Sequence, residues 1–283
     1  QVRQAQKYDG EDSPKFWKYT RGMWSPEGVC KTVLSENLVE KYKIMLPAVF
    51  VKTSYMIAGL DPAFNGGDRC VLQLARYGDL NNGKMGISLE RSDIIEIDAQ
   101  SSEPVHFQIA NRVRSICEEY KILPNHLAID ATGEGGGLCD IMAKTWSPSI
   151  QRVEFGGKAS ERPVSPEDHR KSNDVYANKV TELWFSVRQW VINEQLRGMH
   201  HEAVIEFCSR MFDDEKRMTI IERKVDMKAR TGKSPDFADA ITLVVEMARR
   251  LGGYATATPL KNGLSSWDQL VRDCDSIYHD TFA

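Results

Sequence analysis

No apolar run in the 283 residues approaches the ~20 that a helical membrane span requires. The opening Gln1-Val-Arg-Gln-Ala-Gln likewise has no apolar core of a secretion signal. No membrane partner is therefore expected. An initiator Met is missing too, so the chain is read as an excised part of something longer. No two of the six cysteines (Cys30, Cys70, Cys117, Cys139, Cys208 and Cys274) form a Cys-x-x-Cys pair, which argues against a disulfide frame or a zinc knuckle and for reduced thiols in a cytosolic compartment. There is no internal repeat and no low-complexity tract. A net charge of only −3 gives no bulk attraction for polyanions, so a nucleic acid would have to be held by a local basic patch. A phosphate-binding loop is also lacking. Thr231-Gly-Lys-Ser234 imitates its end, but the pattern needs glycine at Met227, and a helix-breaking Pro235 follows. Residues 133–138 miss the third glycine of a dinucleotide fingerprint.

What is present is an ordinary globular composition, 41% hydrophobic and 27% charged, on a length that suits one large domain or two smaller ones. The first fifty residues mix a polar, breaker-rich stretch with Phe16, Trp17, Tyr19 and Trp24, and Ser35 is placed to cap a short helix over 36–43. They read as a connector whose aromatics either pack on a neighbour or form a binding platform. From residue 55 the pattern turns to strands: one ends at Asp61, a second covers 70–77, and a third lies over 84–89 or 93–97. Short connections pair these antiparallel. Residues 104–120 then have helical spacing, 126–130 read as a buried strand, and a glycine run opens a helix through Leu138, Ile141 and Met142. A strand over 151–155, a long helix over about 174–196 and a helix over 199–211 follow. A strand over 217–222 and a last firm helix over 235–251 complete the core. The end, 253–283, is a tail, amphipathic around Trp267, Leu270, Val271 and Ile277, that folds back or binds a partner. The order predicts a mixed α/β sheet of five strands, three antiparallel and then parallel βα units, flanked by helices.

Three acids stand out on this scaffold. Asp61 closes the apolar run YMIAGLDPA, Asp130 closes His126-Leu-Ala-Ile-Asp130, and Asp239 lies in the first turns of the last helix, with Pro235 at N1 after Ser234 as N-cap. In an open sheet, adjacent parallel strands present their carboxyl ends on one edge, where ligands bind, and Asp61 and Asp130 both occupy that end. Asp236 shares a helix face with Asp239. Each acid has a plainer use, as a turn residue, a cap or a helix-dipole charge. Gathered together, however, such carboxylates repel unless cations compensate, and hard divalent ions such as Mg²⁺ are the natural remedy.

The motifs GLDPA, LAIDATGEGGG and GKSPDFADA together resemble the nuclease domain of the large terminase subunit of tailed bacteriophages, over roughly residues 51–251. The resemblance implies a ribonuclease H-like fold at 51–252, with residues 1–50 as a connector from an ATPase motor not contained in this sequence. It implies a DNA endonuclease that cuts concatemeric double-stranded DNA during viral genome packaging, in the host cytoplasm, by two-metal phosphodiester hydrolysis with Mg or Mn. Asp61, Asp130 and Asp239 map onto the family's catalytic metal-binding acids and Asp236 onto a neighbouring position where the family varies. We favour Asp239 over Asp236 as the main third ligand. The implied partners are the motor, the portal protein and the small terminase subunit. Glu134 is expected as a supporting acid behind the ligands. Arg223, Lys224, Lys228, Arg230 and Lys233, with Lys171 a weaker candidate, are expected to contact DNA phosphates. The rival readings are a resolvase- or transposase-like nuclease of the same fold, and a non-catalytic module that docks DNA or portal.

Overall fold

A computed structural model describes residues 31–64, 67–165, 168–215 and 217–256. The aromatics at 16–24 and the tail beyond 256 lie outside these. Helix α1 (Glu36–Tyr42) starts at Ser35, whose hydroxyl accepts from the Leu38 amide at 3.3 Å. Strands β1 (Phe50–Asp61), β2 (Val71–Leu80) and β3 (Met85–Ile94) form an antiparallel meander. Helix α2 (Val105–Glu119) leads to β4 (Leu127–Asp130), and α3 (Gly135–Thr145) leads to β5 (Gln151–Val153). A hairpin of β6 (Pro163–Ser165) and β7 (Asp168–Lys171) runs into the single turn α4 (Ser172–Val175) and then the long α5 (Lys179–Ile192). Beyond it come β8 (Leu196–Arg197), α6 (His201–Ser209), the paired β9 (Phe212–Asp213) and β10 (Ile220–Ile221), α7 (Lys224–Thr231) and α8 (Asp236–Arg250). Among the described residues no helix is long and apolar enough to cross a membrane.

The main sheet has the order β5-β4-β1-β2-β3-β8. With β4 parallel to β1 on one side and the meander on the other, this is the ribonuclease H-like arrangement. The sheet has six strands where five were expected. The extra one, β8, is two residues long and pairs parallel to β3, too short to carry a period of two. Three further expectations change. The helix over 174–196 is broken at Asn178, whose side chain caps α5 through the Thr181 amide. The strand over 217–222 shrinks to two residues. At the start of α8, Pro235 itself occupies the N-cap position and Asp236 the first turn, because the cap bond comes from elsewhere in the fold, as shown below.

Side-chain alternation sorts the strands onto two cores. In β1, Ala58 and Leu60 face α2 and α3, whereas Ile57 faces α5 and α8. In β4, Leu127 and Ile129 face the first side and Ala128 the second. By the same parity Asp61 and Asp130 fall on the α8 side. Helix α8 is buried almost all round, from Asp236 to Arg249, as a helix wedged between a sheet and two other helices must be. It sits unusually close to β1. A Cβ at Gly59 would lie 2.5 Å from the Ala240 carbonyl oxygen and 2.7 Å from the Val244 amide, so only glycine fits there.

The far end of α8 is clamped by buried charges. Glu182 on α5 accepts from the Ser160 amide and hydroxyl at 2.6 and 2.7 Å and pairs with Arg249. Glu246 takes Arg249 at 3.1 Å, Arg250 at 3.1 Å and Lys179 at 3.3 Å. Burial pushes the Glu182 carboxyl up, but Arg249, Lys179 and the Ser160 bonds outweigh it and hold the pKa down at about 2. A depressed acid contributes stability above its unfolded value, near 4.5, and loses it as pH falls towards 2. The gap is worth about 3 kcal/mol. Glu182→Gln is therefore expected to lower the urea midpoint at pH 7 and to flatten the loss of stability between pH 4.5 and 2, measured by urea titration at each pH.

Candidate active site

The carboxyl ends of β1 and β4 lie side by side. Leu60 pairs with Ile129 in parallel register, so Asp61 and Asp130 are the next positions on adjoining strands. Asp130 is fixed by its own turn, its Oδ1 accepting from the Thr132 hydroxyl at 2.6 Å and amide at 3.0 Å. The turn is tight: a Cβ at Gly135 would lie 2.1 Å from the Asp130 carbonyl oxygen, which accounts for a glycine there. Across the edge, α8 presents Asp236 and Asp239. Each of these two is 2% exposed and Asp61 is 5%.

The acids converge on an ammonium group. Lys224 Nζ lies 3.1 Å from Asp61 Oδ2, 3.1 Å from Asp236 Oδ1 and 3.4 Å from Asp239 Oδ2. Asp236 and Asp239 thus meet the same cation. The remaining oxygens of the α8 acids are anchored. Asp239 Oδ1 accepts from Trp184 Nε1 at 2.8 Å and Arg210 Nη1 at 3.1 Å, and Arg210 also lies 4.4 Å over the Trp184 ring. Asp236 Oδ2 accepts from the Arg69 amide at 3.0 Å. Glu206 on α6 caps α8 from a distance, Oε2 accepting from the Ala238 amide at 2.7 Å while Oε1 pairs with Arg69 at 3.0 Å. This bond replaces the Ser234 cap expected from the sequence.

The electrostatics follow from crowding. Burial first, then Asp239, Asp130 and Asp236, raise the Asp61 carboxyl well above the ordinary range against the pull of Lys224. Asp130 is raised chiefly by burial. Asp236 is held below its usual value because Lys224 and the Arg69 amide outweigh its burial. The same acids raise Lys224 despite its burial, and Glu206 is pushed up to about 8, mainly by burial. Five acids, Asp61, Asp130, Asp236, Asp239 and Glu206, thus crowd around three cations, Lys224, Arg69 and Arg210.

The hard-oxygen donor set fits Mg²⁺ or Mn²⁺ in charge and chemistry. The spacing is set for an ammonium. Among the described residues no three His, Cys, Asp or Glu side chains are drawn together closely enough to hold an ion. Oxygens 3.1 to 3.4 Å from a central nitrogen must close in by about 1 Å to reach the ~2.1 Å of a Mg²⁺ shell. An ion at this place would therefore require Lys224 to withdraw.

The other expected residues are more scattered. Lys224, anticipated as a phosphate contact, is the first residue of α7 and sits against the acids. Arg223 pairs with Asp226 at 2.7 Å, Lys228 with Asp68 at 2.6 Å, Arg230 with Glu222 at 2.6 Å and Lys171 with Glu161 at 3.0 Å. Lys233 is exposed, and among the described residues its ammonium has no partner. Glu134 is exposed at the N-cap of α3 and makes no cap bond. Sequence reasoning overlooked Arg69, Trp184, Glu206 and Arg210. Of these only Glu206 left a local trace, an acid on the buried stripe of α6 beside Ala203 and Phe207.

No family model matches the chain, and no curated protein does. Among solved structures, it is similar to a point mutant of the nuclease domain of the large terminase subunit gp2 of bacterial virus Sf6, determined with manganese and beta-thujaplicinol. The identity is 16%, the match covers 75% of this chain and 94% of that one, and the TM-score is 0.47. The large terminase of a thermophilic bacteriophage matches at 10% identity over 86% of this chain and 51% of that one, with a TM-score of 0.48. This chain thus spans about half of that protein. Thermus thermophilus RuvC matches at 14% identity over 72% of this chain and 99% of its own, with a TM-score of 0.33.

Proposed function

We propose that this chain is a divalent-metal-dependent endonuclease acting on double-stranded DNA, and that it serves as the nuclease part of a genome-packaging terminase in an infected bacterial cell. The observation that carries the nuclease reading is the convergence of Asp61, Asp236 and Asp239 on one ammonium, with Asp130 in the adjoining register. The packaging role, with an ATPase motor, portal protein and small subunit as partners, rests on the three acid motifs quoted above.

Two Mg²⁺ or Mn²⁺ ions, when bound, would supply a water of lowered pKa as nucleophile and neutralise charge on the leaving oxygen. The protein's own residues set the stage for this. Asp61, at the strand tip between Asp130 and the acids of α8, would with them hold these ions. Arg210 and Trp184 donate to one Asp239 oxygen and fix its rotamer. Arg69 and Glu206 orient Asp236 and the first turn of α8. Thr132 does the same for Asp130. Once displaced, Lys224 remains at the rim as a cation of the right reach for a phosphate oxygen.

Plasmid cleavage tests the reading. Supercoiled DNA with Mn²⁺ is expected to become nicked and then linear, and excess chelator is expected to stop it. Asp130→Asn is expected to slow cutting by roughly 100-fold or more, since several kcal/mol of Lewis-acid stabilisation rest on the ions it would hold. A wild-type chain no more active with Mn²⁺ than with chelator overturns the proposal. Preference for a four-way junction over linear duplex would move the reading to a resolvase of the same fold.

A further inference from the structure

The clamp at the far end of α8 carries more positive charge than its acids need. Glu182 and Glu246 are buried, at 1% and 3% exposure, and are answered by Lys179, Arg249 and Arg250. A fourth cation, Arg162, is built into the same group. Its amide donates to Ser160 Oγ at 3.3 Å, and that hydroxyl donates to Glu182 Oε1 at 2.7 Å, so the Arg162 backbone is tied to the network through a single side chain. Its carbonyl accepts from the Ser172 amide at 2.8 Å, which fixes the loop on the other side.

The donors divide unevenly. Arg250 is committed to Glu246, to Gln151 Oε1 at 3.1 Å and to the Arg152 carbonyl at 2.9 Å. Arg249 and Lys179 are spent on the two acids. Among the described residues the Arg162 guanidinium has neither a hydrogen bond nor an ion pair, and the residue is exposed. Four cations against two carboxylates leave an excess of two positive charges. Although exposed at its surface, Arg162 is partly desolvated, which with the neighbouring Arg249 lowers its pKa, and Lys179 is lowered chiefly by burial.

We propose that Arg162, backed by Arg249, Arg250 and Lys179, forms a phosphate-binding subsite remote from the acids. A planar guanidinium with free donors matches a phosphate bidentately, and a rigid charged wall behind it supplies the field. Helix α8 carries both Asp239 and Arg249, ten residues apart, so the subsite stands about 15 Å along the helix from the acid centre. With phosphates spaced ~3.4 Å along a strand, that is the reach of four to five base pairs. On the nuclease reading, on which this part rests, the subsite takes a backbone phosphate of the duplex being cut. Free phosphate or a nucleotide would offer the same chemistry.

The test uses the 283-residue chain and its Arg162→Ala and Arg162→Lys variants without metal. Inorganic phosphate at millimolar concentration is expected to raise the unfolding temperature of the wild type by a few degrees and that of Arg162→Ala by less than one, with Arg162→Lys between. A 30-base-pair duplex is expected to bind Arg162→Ala several-fold more weakly, with a salt slope smaller by about 0.9. Protection by phosphate with unchanged long-duplex binding supports the subsite and assigns it to free phosphate or a nucleotide. Equal protection of wild type and Arg162→Ala, together with equal duplex binding, overturns it. Protection by phosphate does not depend on cleavage, so this outcome is separate from the fate of the nuclease reading, which the acid variants decide.

Discussion

Asp61→Asn is expected to reduce Mn²⁺-dependent plasmid cleavage on the order of 10³-fold while leaving the fold intact. The substitution keeps the shape and one oxygen but removes the charge from the carboxylate that lies between Asp130 and the α8 acids. Lewis-acid stabilisation by a bound ion is worth several kcal/mol, and about 4 kcal/mol corresponds to this factor. Stability should move the other way. Asp61 is 5% exposed, and its carboxyl is raised by burial and by three neighbouring acids. A raised acid adds stability only while protonated, at low pH, and loses it as pH rises through the folded value. At neutral pH, without metal, the charge is therefore a burden. The unfolding midpoint of the Asn variant in chelator is expected to equal or exceed that of the wild type. Cleavage within tenfold of wild type would remove Asp61 from the mechanism. Cleavage lost together with a large drop in midpoint would mean that Asp61 is a structural residue.

Lys224→Ala is expected to make the fold dependent on metal. The wild-type ammonium lies 3.1 to 3.4 Å from Asp61, Asp236 and Asp239 and is their shared counter-charge. Deleting one partner of a buried ion pair costs about 3 to 5 kcal/mol because the stranded charge cannot reach water. Lys224 is about one-third exposed at its side chain, so the lower end applies, roughly 3 kcal/mol and a fall of about 10 °C in chelator. Mn²⁺ is expected to restore most of it, since the ion takes the place the ammonium left. In the wild type the ion must first displace Lys224, so its stabilising effect should be smaller. Differential scanning fluorimetry with and without Mn²⁺ measures both shifts, and equal shifts in the two proteins would refute the idea that lysine and metal compete for one place.

The parts of this centre were unequally visible in the amino-acid sequence. Strands β1 and β4 were legible because each is an apolar run stopped by an acid, and parity alone then sends Asp61 and Asp130 to the same face. Helix α8 was legible from its length and small residues, although Pro235 was assigned the wrong position because the true cap, Glu206, comes from another helix. Helix α7 was missed altogether. Only Met227 in it is buried, so no apolar stripe marks it, and its charges read as an open basic loop. That error hid the role of Lys224. Arg210 and Trp184 had no local signature either: a buried arginine stacked on an indole looks, in sequence, like any arginine and any core tryptophan. Such pairings are properties of packing between elements distant in the chain.

The close seat of α8 on β1 bears on how the protein is made. The helix reaches the strand at Gly59 with no room for a Cβ, and it brings the last two acids with it. During synthesis the strands emerge first and α8 is the last described element to follow. Until it docks, Asp61 and Asp130 stand without Asp236 and Asp239. On the nuclease reading, cutting would therefore await the docking of α8, the last described helix.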